Sequence, residues 1–390
     1  MKTVTLPVAY MPLVDAAPLI VAQEMGFAQT EGIALDLIAA PSWSSVRDML
    51  AFGRVDAAHM LSPVPVAMAL GLGGVATPVS AVMVTSVNGD VIGVGRALEA
   101  RLRATGFGFD FADPRAAARA LAQVTDGPLV FGVPFPFSMH VELLHYWFDG
   151  TDLGGTKVTI RTVPPPLMAE ALAAGDIDAF CVGEPWGSVA VDQGSGALLL
   201  PGKAIWSFAP EKVLAVRTDW AETEPHLLRR LMRAVWRAAQ WLARPDTRTT
   251  AAEILSRKAY LDVPPELIDR ALNGRFTISG QAEQREVPRF LEFHDGAANF
   301  PWRSQAKWVA RRLALRHGLP VAETMARGSE VYRSDLFRAH MPIEADLPGA
   351  SEKLEGAIPH DTAVASQKGH LTLLADSFFD GAIFDPDLPD

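Results

Sequence analysis

The chain is expected to fold as two similar α/β lobes with a ligand cleft between them. Three observations lead there. First, two stretches repeat at an offset of 122 residues: Ala51-Phe52-Gly53-Arg54-Val55-Asp56-Ala57 and Ala173-Ala174-Gly175-Asp176-Ile177-Asp178-Ala179. The aspartates Asp56 and Asp178 each precede a proline, Pro63 and Pro185, by seven residues, and Pro12 aligns with Pro134. Second, each copy follows an apolar helical pattern, Val46 to Leu50 and Leu167 to Leu172. A helix closing on a glycine, a short turn and a buried strand ending in a proline-marked loop make one αβ unit. Third, the 390 residues suffice for two domains, with 49% hydrophobic and 21% charged residues. Ligands of open α/β sheets sit beyond the strand ends, so two facing units imply a shared cleft.

The elements follow in order. Strand Val4–Ala9, helix Ala16–Met25, strand Ile33–Ile38, helix Ser45–Phe52 and strand Val55–Met60 open the first lobe. Met60 to Gly89 holds no ionisable residue, a length that could span a bilayer. Its prolines and glycines instead favour a strand end, a short helix, a glycine turn and a second buried strand, Val79–Ser86. Helix Asp113–Val124 has Pro114 in its first turn. Leu129–Val133, Ser138–Phe148, Val158–Val163, Leu167–Ala174 and Asp178–Val182 build the second lobe. Ala197–Leu200 and Val213–Arg217 read as strands returning to the first. Residues 225–242 carry helical apolar spacing, as do 263–272 and 302–315. The lobes are expected at 1–90 with 213–390, and at 91–212.

The formal charge is −10, and residues 341–390 carry ten acidic groups against Lys353 and Lys368. No basic patch suits a phosphate backbone, so direct nucleic-acid binding is not expected. Cys181 is the only cysteine, which excludes an internal disulfide. Val4 follows the start so closely that no export signal is read, and a cytoplasmic location is expected.

Catalytic and cofactor signatures are missing. There is no phosphate loop, dinucleotide fingerprint or nucleophile elbow. His140 and His145 are five apart, about 140° around a helix, so they cannot share a metal. The expectation is a binding protein rather than an enzyme, without cofactor or metal. The candidate site lies on loops at the strand ends. Ser42 or Ser44 can cap the helix after Trp43, whose N–H groups would suit an anion. His59 and Ser62 close the first repeat, and Gly183 and Glu184 the second. Lys212 enters a return strand, where its ammonium could meet a small anion. Each also fits a plainer role as cap, core filler, turn or surface charge.

Taken together these segments resemble the nitrate- and bicarbonate-binding protein family of ABC transporters. The motif Ser-Trp-x-x-x-Arg-Asp stands at residues 42–48, and Gly-Glu-Pro-Trp at 183–186. Ile205-Trp206 with Pro210-Glu211-Lys212-Val213-Leu214 matches a third motif. Asp56 to Pro65 resembles a fourth, with Ser62-Pro63-Val64-Pro65 in place of Met-Pro-Met-Pro. Asn299 to Trp302 and Phe379 to Pro386 complete a likeness over nearly the whole chain. The resemblance implies a periplasmic-binding-protein-like fold of type II. It implies a small oxyanion, nitrate or nitrite, held by Trp43, Gly183 and Lys212. The family's glutamine is His59 here, and its histidine position is Phe137, with His140 three residues on as the candidate substitute. With no export signal read, the chain is most similar to cytoplasmic nitrate/nitrite sensors that control an ANTAR-type antiterminator protein. The alternatives are a substrate-binding component of a nitrate or bicarbonate ABC transporter, or an enzyme similar to thiamine-pyrimidine synthases. The single cysteine argues against the enzyme.

Overall fold

A computed structural model describes residues 3–369 and 371–388. Two mixed sheets form the scaffold. The first contains β1 (Val4–Tyr10), β2 (Ile33–Ala39), β3 (Ala57–Leu61) and β4 (Val79–Asn88). The second contains β5 (Asp90–Gly95), β6 (Leu129–Val133), β7 (Val158–Thr162), β8 (Ala179–Gly183) and β9 (Gly196–Pro201). β10 (Pro210–Arg217) returns to the first sheet. After a short hairpin of β11 (Arg275–Thr277) and β12 (Gln284–Glu286), β13 (Leu291–Glu292) adds an edge beside β4. The arrangement is the two-lobed α/β, periplasmic-binding-protein-like fold.

The two sheets have one topology. The first runs β13-β4-β10-β3-β1-β2 and the second β9-β5-β8-β6-β7. In each, three strands are parallel and the next runs against them. That reversed strand is the one received from across the molecule. The chain leaves the first sheet after Asn88 and enters the second at Asp90. It leaves the second after Pro201 and re-enters the first at Pro210. Asp90 and Lys212, the expected lobe limits, thus both lie inside strands.

Local chemistry accounts for the helix starts and for the repeated turn. Ser42 caps the Trp43–Ala51 helix by accepting from the Ser45 N–H, and Ser138 caps the Met139–Asp149 helix by accepting from Val141. Gly53 and Gly175 take left-handed φ of 70° and 75°, as the turn from helix to strand requires. β3 and β8 follow, buried along their whole lengths, as suits a strand covered on both faces.

One expectation changes. Ala197–Leu200 does not return to the first lobe: β9 pairs with β5 in the second sheet. The return is made by β10 alone. The cause is β5, which the sequence reading did not find. Its glycines Gly93 and Gly95 dilute the strand pattern, and Gly93 is needed because a Cβ there would stand 2.3 Å from Phe180 Cζ.

The carboxy-terminal part spans the two lobes. The Pro225–Ala243 helix buries Leu228, Leu231, Val235 and Leu242 at helical spacing. From the Arg303–His317 helix, Arg316 pairs with Glu142 at 2.5 Å and Arg312 with Asp149 at 3.0 Å, both on the second-lobe Met139–Asp149 helix. The acidic tail is mostly irregular, as expected. It is tied to the β9–β10 crossing: Trp206 Nε1 donates to Asp376 Oδ1 at 2.7 Å, and Lys353 pairs with both Asp376 and Glu355. Among the described residues no helix is long and apolar enough to cross a membrane.

Candidate functional site

The ends of β3, β8 and β10 meet between the lobes. Lys212 is the centre. It sits opposite Leu61 in the first sheet, wholly buried. Its ammonium lies 2.7 Å from Asp15 Oδ2, 2.7 Å from Glu211 Oε1 and 5.6 Å from the Trp43 ring centroid. His59, on β3, brings Nε2 to 3.2 Å from Asp15 Oδ1, and its ring is 5.6 Å from that of Trp43. The second lobe supplies His140, in the first turn of its helix, with Nδ1 at 3.4 Å from Glu211 Oε1. Gly183, at the end of β8, closes the group: a Cβ there would stand 3.5 Å from Asp15 Oδ2 and 4.0 Å from His140 Nε2.

Trp43, His59, His140, Gly183 and Lys212 are therefore brought together. Ser44, Ser62 and Glu184 are placed differently. Ser44 Oγ is half-buried and hydrogen-bonds Ser42 Oγ at 2.9 Å. Ser62 Oγ donates to the Pro210 carbonyl at 2.5 Å, and its N–H donates to the Glu211 carbonyl at 3.1 Å, so it ties β3 to the entry of β10. Glu184 turns its carboxylate into the second lobe, where Oε2 accepts from the Ser188 N–H at 3.3 Å. Its backbone carbonyl accepts from Val14 across the cleft at 2.9 Å, beside Trp186 Nε1 donating to Pro12 at 2.8 Å. Phe137 packs at the rim, 5.9 Å from the His317 ring.

Asp15 and Glu211 were missed as site residues. Asp15 had one visible signal: it is the only charged residue between Lys2 and Glu24, in an apolar run. Glu211 stood next to Lys212 but on a strand whose alternation would point it away. The β10 register slips between Pro210 and Lys212 and again after Lys212, and both charges turn inward.

The electrostatics follow from burial. Burial alone would raise the Asp15 carboxyl, but Lys212 and His59 outweigh it and hold it down at about 2. Burial would lower Lys212, but Asp15 and Glu211 outweigh it and keep the ammonium charged. Glu211 goes the other way. Burial pushes it up to about 8 against the pull of Lys212, and Asp90 and Asp15 add to the rise. Burial lowers both histidines, so each is neutral at pH 7. The site at neutral pH is one lysine paired with one carboxylate, ringed by neutral hydrogen-bonding groups. Trp43 Nε1, His59 Nδ1 and His140 Nε2 are buried with no hydrogen-bond partner among the described residues. Buried polar groups are normally satisfied, so such a ring is built for a small polar guest. No group of three or more histidine, cysteine or acidic side chains among the described residues is arranged to hold a metal.

Known proteins share this fold and much of the sequence. The chain is 30% identical over 400 residues to the nitrate/nitrite binding protein NrtA of Synechocystis sp., covering all of this chain and 84% of that protein. It is 32% identical over 318 residues to the nitrate import ATP-binding protein NrtC of the same organism, covering 80% of this chain; it spans only 46% of NrtC. The crystal structure of the periplasmic nitrate-binding protein NrtA from Synechocystis superposes with a TM-score of 0.83 at 28% identity, covering 100% of this chain and 97% of that one. The NMT1-like family model matches residues 1–256, and the chain belongs to that family, among the nitrate- and bicarbonate-type substrate-binding proteins of ABC transporters.

Proposed function

We propose that the protein is a receptor for a small oxyanion, nitrate or nitrite first, that closes its two lobes on the ligand and presents it to an ABC transporter. The observation that carries the reading is the buried Lys212 ammonium at the lobe interface, surrounded by the unpartnered nitrogens of Trp43, His59 and His140. A charge-assisted donor flanked by neutral donors suits an acceptor-only monoanion. The likeness to NrtA supports nitrate as the ligand, and the likeness to NrtC supports the transporter as the partner. No chemistry is assigned to the site: it binds.

The sensor reading uses the same cleft and a different partner. There a cytoplasmic receptor would hold an ANTAR-type antiterminator and release it when the anion binds, and linkage would make the partner weaken anion binding by the same factor. The motifs are shared by both readings and do not separate them; the relatives' names favour transport. Calorimetric titration with nitrate, nitrite and bicarbonate tests the shared core, and a saturable heat with one of them is expected. No heat and no melting shift with any at millimolar ligand overturns it. Co-purification with and without nitrate then separates the partners.

A further inference from the structure

We propose that this receptor takes up its anion together with one proton, and that Glu211 is the residue that carries it. The inference rests on the oxyanion reading of the same cleft.

Counting charges in the closed site leads to it. Three carboxylates, Asp15, Glu211 and Asp90, surround a single buried cation, Lys212, and none is more than 2% exposed. Asp15 and Glu211 lie equally close to the lysine, at 2.7 Å, but only Asp15 has its other oxygen beside a second partner, His59 Nε2 at 3.2 Å. A guest monoanion would add a further negative charge where water cannot screen it. Glu211 is the group able to give way. Its Oε1 is shared between Lys212 and His140, and its Oε2 is buried without any hydrogen-bond partner among the described residues. Protonated, that carboxyl loses its charge and gains an O–H donor beside the ammonium. Ionised, it is an acceptor facing an acceptor-only ligand.

The groups around Glu211 do not substitute for it between pH 7 and 8. Lys212 is held charged, and Asp15 is held ionised. His140 is lowered by burial, and it would be neutral both in the open and in the closed state in this range. Burial raises Tyr332 and the Cys181 thiol, which stay protonated. Asp90, hydrogen-bonded by Cys181 at 3.3 Å, is the one remaining candidate.

The sign follows. Opening the lobes returns Glu211 to water and to the ordinary carboxyl range, while closure raises it to about 8. Closure therefore takes up a proton wherever the pH lies between those limits, and affinity falls as pH rises through them. The loss approaches about tenfold per pH unit well below the closed-state value and is about fivefold between pH 7 and pH 8. Below pH ~6.5 the histidines release protons on closure and offset the slope, so the clean window is pH 7 to 8.

The test is calorimetric titration of the full chain with sodium nitrate, whose anion does not titrate here, at pH 7.5 in HEPES and in Tris. Their unequal ionisation heats report proton transfer. The expected result is uptake of about 0.7 proton per nitrate and about fivefold weaker binding at pH 8 than at pH 7. In Glu211→Gln both should vanish. Nitrate binding with no uptake, or with net release, overturns the proposal and leaves the receptor reading intact. Uptake that survives Glu211→Gln and disappears in Asp90→Asn also overturns it. No binding of nitrate, nitrite or bicarbonate by the wild type overturns the receptor reading itself.

Discussion

The two lobes share a scaffold to the residue and differ in what they place on it. β3 and β8 occupy residues 57–61 and 179–183, the full 122-residue offset. The strand received from the other lobe keeps the same spacing: Lys212 faces Leu61, and Asp90 faces Gly183. At equivalent positions the first lobe has His59, Leu61, Ser62 and Lys212, and the second has Cys181, Gly183, Glu184 and Asp90. His59 leans on Asp15, and Cys181 donates to Asp90. The first lobe thus supplies the positive charge. The second supplies room, a bare backbone at Gly183 and His140. A symmetric scaffold becomes a one-ligand site because the matched positions carry opposite charge.

Removing the cation strikes hardest. Lys212→Met leaves the ionised Asp15 buried without its cation, and breaking a buried pair from one side costs about 3–5 kcal/mol. Denaturant unfolding should show a loss of that order, with nitrate binding abolished. Adding Asp15→Asn should restore part of the stability and none of the binding. A Lys212→Met protein as stable as wild type would show that the charge pairing contributes little.

The next contrast is Ser62 against Glu184. Ser62 satisfies its hydroxyl on Pro210, whereas burial pushes the Glu184 carboxyl up to about 7. A folded-state pKa above the unfolded one gives stability that is full below the unfolded value and lost as pH rises through 7. At about 1.4 kcal/mol per unit, the cost above pH 7 is on the order of 3 kcal/mol. Glu184→Gln should therefore raise the melting temperature at pH 8 and leave it nearly unchanged at pH 5. Glu142 is raised to about 7 by burial as well, so wild type and variant will both lose stability with pH. Only their difference reports Glu184.

Gly183 against Leu61 comes third. A Cβ at Gly183 would stand 2.7 Å from Leu13 Cδ2, in the facing lobe. Overpacking of this kind costs about 1–3 kcal/mol, and here it acts only when the lobes close. Gly183→Ala should weaken nitrate binding by roughly tenfold or more while the unfolding midpoint barely moves. Equal losses in both would place the clash inside one lobe.

Much of this contrast could be read in the sequence and part could not. The glycine-to-aspartate turn repeats because the same helix-to-strand geometry needs the same residues, so both β3 and β8 were found. Trp43, Gly183 and Lys212 stood in motifs. Asp15 did not, because its counterpart at the 122 offset is Phe137, and a repeat highlights what two copies share. β5 was hidden by its glycines, of which Gly93 makes room for the Phe180 ring packed above it. Glu211 was hidden by a register slip, which only the paired strands reveal. What escaped was set by contacts between segments far apart in the chain.

The smallest effect separates a cap from a ligand. Ser42 and Ser44 flank Trp43 in the first lobe, while the matching helix of the second lobe begins at Met168 with no side-chain cap bond. Ser42 Oγ accepts from the Ser45 N–H at 3.2 Å, and Ser44 Oγ only joins Ser42 and remains half-buried. Losing the Ser42 cap should cost about 1 kcal/mol of stability. Ser44→Ala should cost less than about 0.5 kcal/mol, as surface substitutions do, and leave nitrate affinity within twofold. A larger loss of affinity in Ser44→Ala, with stability intact, would move Ser44 from the helix cap into the anion's shell. It would also make the first lobe's loop, as well as its lysine, part of what the second lobe lacks.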